Sequence, residues 1–263
     1  MEFVVLLGKT LLLRPYVFIF LAIALAASTW LIGKRRTAIF FLLTWVTAFV
    51  CEFSSTRTGF PFGWYFYIGS TIGQELYISD VPFMDSLSFS FLLFTSHCLA
   101  LTFLLPAQGR GLTIAMRDDQ AIRTSLPVLG LTVLFFVLLD VVIDPVALRG
   151  DRWFLGKIYY YPEPGVHFGV PIANYLGWAV VGLVAFGLYQ RLDRRLPDHG
   201  SEENIARKLF FGCALYYGIL AFNLAVTFWI GEPLIGTTGL LMYLPITALL
   251  LLKLSGRLPA PAS

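Results

Sequence analysis

Apolar residues run along this chain in blocks too long for a soluble fold. Seven predominantly hydrophobic windows, at roughly 14–33, 38–53, 83–105, 126–143, 170–189, 206–230 and 234–252, are separated by segments that hold most of the charge. A helix needs about 20 apolar residues to cross about 30 Å of hydrocarbon, so each window predicts one transmembrane helix. The second and fourth are short and extend into the polar motifs beside them. The expected fold is therefore all-α, a polytopic membrane bundle of about seven helices forming one domain over residues 1–263. Within the first window, "ALAAS" has the small residues of a signal-peptide cleavage site, but the apolar run continues through "TWLIG" to spanning length and is retained as a helix.

Charge then orients the bundle. The odd-numbered loops and the C-terminal tail carry Lys34, Arg35, Arg36, Arg110, Arg117, Arg123, Arg191, Arg194, Arg195, Arg207, Lys208, Lys253 and Arg257, which are 13 of the 19 basic residues. Short loops rich in Lys and Arg stay in the cytoplasm, which predicts an outside N-terminus and a cytoplasmic C-terminus. Composition agrees: 57% of the 263 residues are hydrophobic, 13% are charged and the mean hydropathy is +0.76, whereas soluble domains carry roughly 25% charged residues. The net charge of +3 follows from this topology, and no basic patch points to nucleic acid. Cys51, Cys98 and Cys213 fall in helices without metal-type spacing and read as core residues, and "RLPAPAS" reads as a frayed tail.

Two connections break the pattern. "CEFSSTRTGFPFGWYFYIGSTIGQELYISDVP" (51–82) and "DVVIDPVALRGDRWFLGKIYYYPEPGVHFGVPIANYLGW" (140–178) are long, aromatic and punctuated by Gly and Pro. Both are even-numbered loops, so they emerge on the same side of the membrane. They are too apolar to lie free in water, and irregular backbone at membrane depth is tolerated only where protein buries it or it lines a cavity. They are expected to fold back as re-entrant or capping segments over the outer mouth of the bundle, with Gly59, Gly63, Gly69 and Gly73 permitting the tight backbone. Taken singly, Trp64, Tyr65, Tyr67, Tyr159, Tyr160 and Tyr161 suit an interfacial aromatic belt or simple packing.

The polar groups that converge there are Glu52, Arg57, Asp140, Asp144 and Asn174. A carboxylate in hydrocarbon costs about 3 kcal/mol or more, which makes an intramembrane acid a functional candidate in need of a partner. Asp140 and Asp144 are spaced i,i+4, which puts them on one helix face about 6 Å apart, with Asp140 a turn deeper. Two acids that close resist joint ionisation in a low dielectric and hold a proton between them. The pair can then donate a proton near neutral pH. In the structural alternative Asp144, which precedes Pro145, caps a helix end or pairs with Arg57 or Arg149.

At these residues the sequence resembles a known family. "E-x4-R-T-G-x-P-F-G-x-Y-x-Y" from Glu52, "D-x3-D-P" from Asp140 and "F-G-V-P-I-x-N-Y-L-G-W" from Phe168 are similar to motifs of the carotenoid-biosynthesis membrane hydratases of the CruF type, which hydrate bisanhydrobacterioruberin or γ-carotene. The motifs occupy about half the chain, in order, each joined to a helix end. Two departures, "SDVPFMDSLSFSF" and "YYYPEPGVH", bear on substrate identity. The resemblance implies an enzyme of a bacterial or archaeal plasma membrane that adds water to the terminal double bond of an acyclic carotenoid. Such a hydration protonates the alkene, forms a tertiary carbocation and captures it with water, using no cofactor or metal. It requires a neutral acid, a held water, and carboxylates or aromatic faces that tolerate positive charge. Asp140, Asp144 and Glu52 become the candidate catalytic residues, and Arg57, Phe62, Tyr65, Tyr67, Trp153, Asn174 and Trp178 the candidate substrate contacts. The implied partners are the carotenoid, water, the bilayer and other carotenoid-pathway enzymes.

Other classes fit less well. A di-metal oxygenase needs clustered histidines, but only His97, His167 and His199 are present, and His97 reads as a hydrogen-bonded core residue. A retinal protein needs a deep Schiff-base lysine, and Lys253 sits at a helix end where snorkelling explains it. A transporter for a lipid or proton-coupled substrate would place acids along a path across the bilayer, whereas these crowd at one end. A non-catalytic carotenoid-binding subunit is the remaining alternative. Asn223 and Glu232 face the same side, with a loop role expected for Glu232.

Overall fold

The computed structural model describes residues 2–109, 111–197 and 204–256; Arg110, His199, Arg257 and the Pro-rich tail lie outside them. Its helices are α1 (Glu2–Leu13), α2 (Pro15–Thr58), α3 (Phe83–Leu104), α4 (Gln120–Arg123), α5 (Leu126–Ala147), α6 (Ile172–Asp193), α7 (Ala206–Trp229) and α8 (Pro233–Leu254). Three two-residue ladders join β1 (Phe66–Tyr67) to β6 (Tyr159–Tyr160), β2 (Tyr77–Ile78) to β3 (Val81–Pro82), and β4 (Ala107–Gln108) to β5 (Ala115–Met116).

Among the described residues, six helices are long and apolar enough to cross a membrane: α2, α3, α5, α6, α7 and α8. The first two expected helices form the single element α2, 44 residues long. A straight helix of that length would measure about 66 Å, twice the hydrocarbon thickness. It is broken at Gly33, whose φ of 76° and ψ of 161° lie where only glycine goes readily. Its two ends reach the same loop, since Arg14 pairs with Glu75 and Arg57 with Asp80. Arg36, beside the break, meets Asp193 at the far end of α6. The element is therefore a hairpin folded back at Gly33.

α3 is the central helix, packed against α2, α5 and α7, with 78% of its apolar window buried against 28% for α8. Small hydroxyl residues let neighbours approach and return their protons to backbone carbonyls: Ser96 bonds Leu92, Thr102 bonds Cys98, and Ser90 reaches across to Phe41. Leu240, Leu241, Leu244 and Leu249 of α8 face outward, as apolar residues do when the solvent is lipid.

Two expectations are corrected, for the residues before position 14 and for His97. The sequence windows began at residue 14, but α1 precedes them as a 12-residue helix, too short to span, tied to the loop after α2 by Lys9 to the Gly73 carbonyl and by the Leu76 N–H to Thr10. α5 extends into its polar motif as expected, running through Pro145 to Ala147; the ring only deprives the Val141 carbonyl of its intrahelical donor. His97 is buried but not hydrogen-bonded through Nδ1; its ring stacks on Phe40 and lies tilted against Phe186. Lys253, at the end of α8, donates to the Phe103 and Leu105 carbonyls where α3 ends.

Buried ion pairs hold both ends of the bundle. At one end, Asp193 accepts from Arg36 at 2.5 Å and from Arg123 at 2.8 Å. At the other, Arg14 holds Glu75 at 3.0 Å with both side chains almost fully buried, and donates as well to the Leu155 carbonyl. This pair joins α2 to both long loops. Glu75→Ala strands a buried guanidinium, which costs about 3–5 kcal/mol. Thermal unfolding of the detergent-purified variant should show that loss as a lowered midpoint, and an unchanged midpoint would mean Arg14 is solvated there.

Candidate active site

The two aromatic loops meet in the β1–β6 ladder, where Phe66 pairs with Tyr160 and Tyr67 with Tyr159, continued by the Ile68 N–H to the Ile158 carbonyl at 2.9 Å. Alternate residues of a ladder face opposite sides. Tyr65, Tyr67, Tyr159 and Tyr161 consequently turn inward, while Trp64 and Tyr160 stay exposed on the outer face. Trp64 and Tyr160 thus have the exposure that a belt requires, and the inner four rings are packed.

Beneath the ladder lies a cavity of about 140 Å³, bounded by α2, α3, α5, α6 and α7. On the scale where one water needs about 10–15 Å³, it has room for a small branched apolar group and water together. Its floor is aromatic: Trp178 stacks on Phe89 with ring centres 4.1 Å apart, and Phe62 meets Phe89 edge-on.

Two carboxylate centres open into this space. In the first, Asn174 of α6 donates through one amide nitrogen to Asp140 at 2.7 Å and to Asp144 at 3.0 Å. Asp144 also accepts from Tyr161 at 2.7 Å and from Tyr159. In the second, the Tyr67 hydroxyl lies 3.1 Å from Glu52 and 2.7 Å from Asp85, and Ser86 donates to the other Glu52 oxygen. The Tyr65 ring stands between the centres, 5.4 Å from Tyr67 and 6.2 Å from Tyr159. Burial, and then the neighbouring carboxylates, push the phenols of Tyr65, Tyr67, Tyr159 and Tyr161 well above their ordinary range, so all four keep their protons.

Nine of the ten sequence candidates line the cavity: Glu52, Phe62, Tyr65, Tyr67, Asp140, Asp144, Trp153, Asn174 and Trp178. Arg57 does not. It points outward to Asp80 at 2.7 Å and lies over the Phe53 ring. The expected arginine partners of Asp144 are also absent, because Arg149 is engaged by Glu232 at 3.0 Å and Arg57 by Asp80; neutral donors take their place. Glu232 is a loop residue, while Asn223 borders the cavity and spends its amide on the Ile219 carbonyl.

Sequence reasoning missed Asp85 as a site residue and undervalued Tyr159 and Tyr161. The polar run "DSLSFS" was the signal for Asp85, and alternation in "WYFY" was the signal that one tyrosine face turns inward.

The profile of the carotenoid biosynthesis protein family matches residues 13–245, a stretch that contains both carboxylate centres and both loops. The chain belongs to the carotenoid biosynthesis protein family. Among characterised proteins it is similar to bisanhydrobacterioruberin hydratase from Haloarcula japonica, with 29% identity over 203 residues, covering 73% of this chain and 61% of that protein. The chain thus spans less than two thirds of the length of that relative. No solved structure matches it.

Gly177 fixes the floor of this family member's cavity. A methyl group there would stand 2.2 Å from the Phe62 ring and 2.8 Å from its backbone Cα, so rotating the ring cannot relieve the clash. Gly177→Ala is expected to cost about 1–3 kcal/mol and to displace the first long loop. A thermal midpoint equal to the parent's would show that the loop is not seated on α6.

Proposed function

We propose that this protein is a carotenoid hydratase, adding water to the terminal trisubstituted double bond of an acyclic carotenoid end group. One observation carries the reading: the cavity is lined by four carboxylates and by aromatic rings, with no Lys or Arg among the described lining residues. An uncharged alkene becomes a cation in the transition state of hydration. Preorganised carboxylates and ring faces stabilise that charge, and an ammonium or guanidinium would oppose it. Membership of the family and the printed name of the Haloarcula relative support the substrate class.

In this mechanism Asp140 is the general acid. Asp144 receives three donors, which suits a carboxylate, whereas Asp140 receives one and has room for its own proton. Asp140 protonates the CH carbon of the double bond, the positive charge forms on the neighbouring tertiary carbon, and a water held by the carboxylates attacks it. Its oxygen then loses a proton, giving a tertiary alcohol. Asp144 steadies the cation and orients the water. The cavity holds the end group, and the rest of the polyene lies between helices in the leaflet. The two limbs of α2 each cross the bilayer, making seven spans, with the N-terminus and the cavity outside and the C-terminus in the cytoplasm.

A host that makes acyclic carotenoids should yield a pigment heavier by one water when it expresses this chain. Asp140→Asn keeps the shape but removes the proton donor, which lowers hydration by about 10²-fold or more; Asp144→Asn also lowers it. Mass spectrometry of pigments at matched protein levels checks both. Near-normal conversion by the two variants would reduce "DVVIDP" to a helix terminus. Because water and a carboxylic acid suffice, conversion in isolated membranes should also survive chelators, and restoration by a divalent ion after chelation would overturn the acid mechanism.

A further inference from the structure

Hydration moves protons at two different atoms. Carbon gains one, and the attacking water loses one. The first carboxylate centre is well arranged for the gain and poorly arranged for the loss, since Asp144 already accepts from Tyr159, Tyr161 and Asn174, which occupy most of the acceptor sites a water proton would use. The second centre differs. The single Tyr67 proton serves two carboxylates, Glu52 at 3.1 Å and Asp85 at 2.7 Å, and the only other hydroxyl joined to either in these contacts is Ser86. A phenol can donate to one acceptor at a time, so these two acids share two side-chain donors where Asp144 alone has three. Glu52 and Asp85 enter from α2 and α3, on the far side of the Tyr65 ring from Asp144, and both border the same space.

Resting on the hydratase reading, we propose that Glu52 and Asp85, joined by the Tyr67 hydroxyl, are the base that takes the proton from the attacking water. The electron and proton balance closes. The π electrons of the alkene take the proton of Asp140, leaving Asp140 ionised and a tertiary cation beside Tyr65. A lone pair of water forms the C–O bond while its O–H proton passes to Asp85. The cavity water then carries that proton back to Asp140, which restores both groups. Asp85 acts on the reacting oxygen and is a catalytic residue; Tyr67 positions the pair.

Deuterium separates the two steps. In membranes equilibrated in D₂O, a protein that deuterates carbon but cannot capture the cation returns it to alkene, and each return in which Asp140 takes the original hydrogen of the turned CHD carbon, leaving the deuterium, labels the recovered substrate. Asp85→Asn should lower hydration by about 10²-fold, as loss of a general base does, while labelling of recovered substrate persists. Asp140→Asn should abolish both. Should Asp85→Asn fail to accumulate, Tyr67→Phe removes only the joining hydroxyl and should show the same split, and Asp85→Glu should recover part of the hydration. The proposal is overturned if hydration by Asp85→Asn, or by Tyr67→Phe in its place, stays within a few-fold of the parent, or if labelling disappears with hydration. Failure of the hydratase reading itself looks different: the parent chain would then form no product heavier by one water.

Discussion

A carboxylate below the surface of a membrane protein must be given hydrogen-bond donors, and most of this architecture follows from where those donors come from. Asp144 sits on α5, but its donors are Tyr159 and Tyr161 from the loop beyond and Asn174 from α6. Glu52 sits on α2, and its donors are Tyr67 from the other loop and Ser86 from α3. Each acid is thus satisfied only when helices and loops distant in sequence have come together. Leaving such a group unsatisfied costs more than an ordinary lost hydrogen bond, so folding of the cap and assembly of the site are one event. The Arg14–Glu75 pair works the same way, tying α2 to the first loop while Arg14 reaches the second through Leu155.

How much of this the sequence revealed depends on the range of the interactions. The helices were legible because the cost of exposing backbone in hydrocarbon forces long apolar runs, and the starts of α3, α5 and α7 coincide with their hydrophobic windows. The hairpin form of α2 was legible through the break in hydropathy at "GKRR", although the helix continues on both sides of Gly33. α1 escaped because, although eight of its twelve residues are Leu, Val or Phe, it is too short for any spanning window. The Asp140–Asp144 pair was legible because i,i+4 spacing is a local fact. Their partners were not: nothing in the neighbourhood of Asp144 distinguishes Arg149, five residues further along the chain, from Tyr161, which arrives only when β6 pairs with β1. Arg149 answers instead to Glu232, far along the chain. Arg57 was misplaced for a related reason, since a motif arginine beside an intramembrane acid invites pairing, and only the fold shows that Asp80 intervenes.

The β1–β6 ladder explains how one aromatic-rich stretch serves two solvents. Period-two alternation sends Trp64 and Tyr160 outward, where amphipathic rings suit a headgroup region, and sends Tyr65, Tyr67, Tyr159 and Tyr161 inward, where each hydroxyl supports a carboxylate or another phenol. A helix in the same place would distribute those rings around its circumference. The chain leading into β1 is anchored twice: the Gly59 turn closes α2, and Gly177 admits Phe62 against α6.

The absence of lysine and arginine from the described cavity lining separates this arrangement from an ordinary buried ion-pair network. The contrast lies within the same molecule. At the opposite end of the bundle Asp193 is answered by Arg36 and Arg123, a closed set of permanent charges with a structural task. Around the cavity the acids are answered by phenols, an amide and a serine, groups that stabilise a carboxylate without cancelling its field. Opposite charges a few ångströms apart in a poorly screened site attract far more strongly than in water. Neutral donors therefore leave that attraction available for whatever positive charge arises inside the cavity, whether a mobile proton or a carbocation, and a resident arginine would have consumed it.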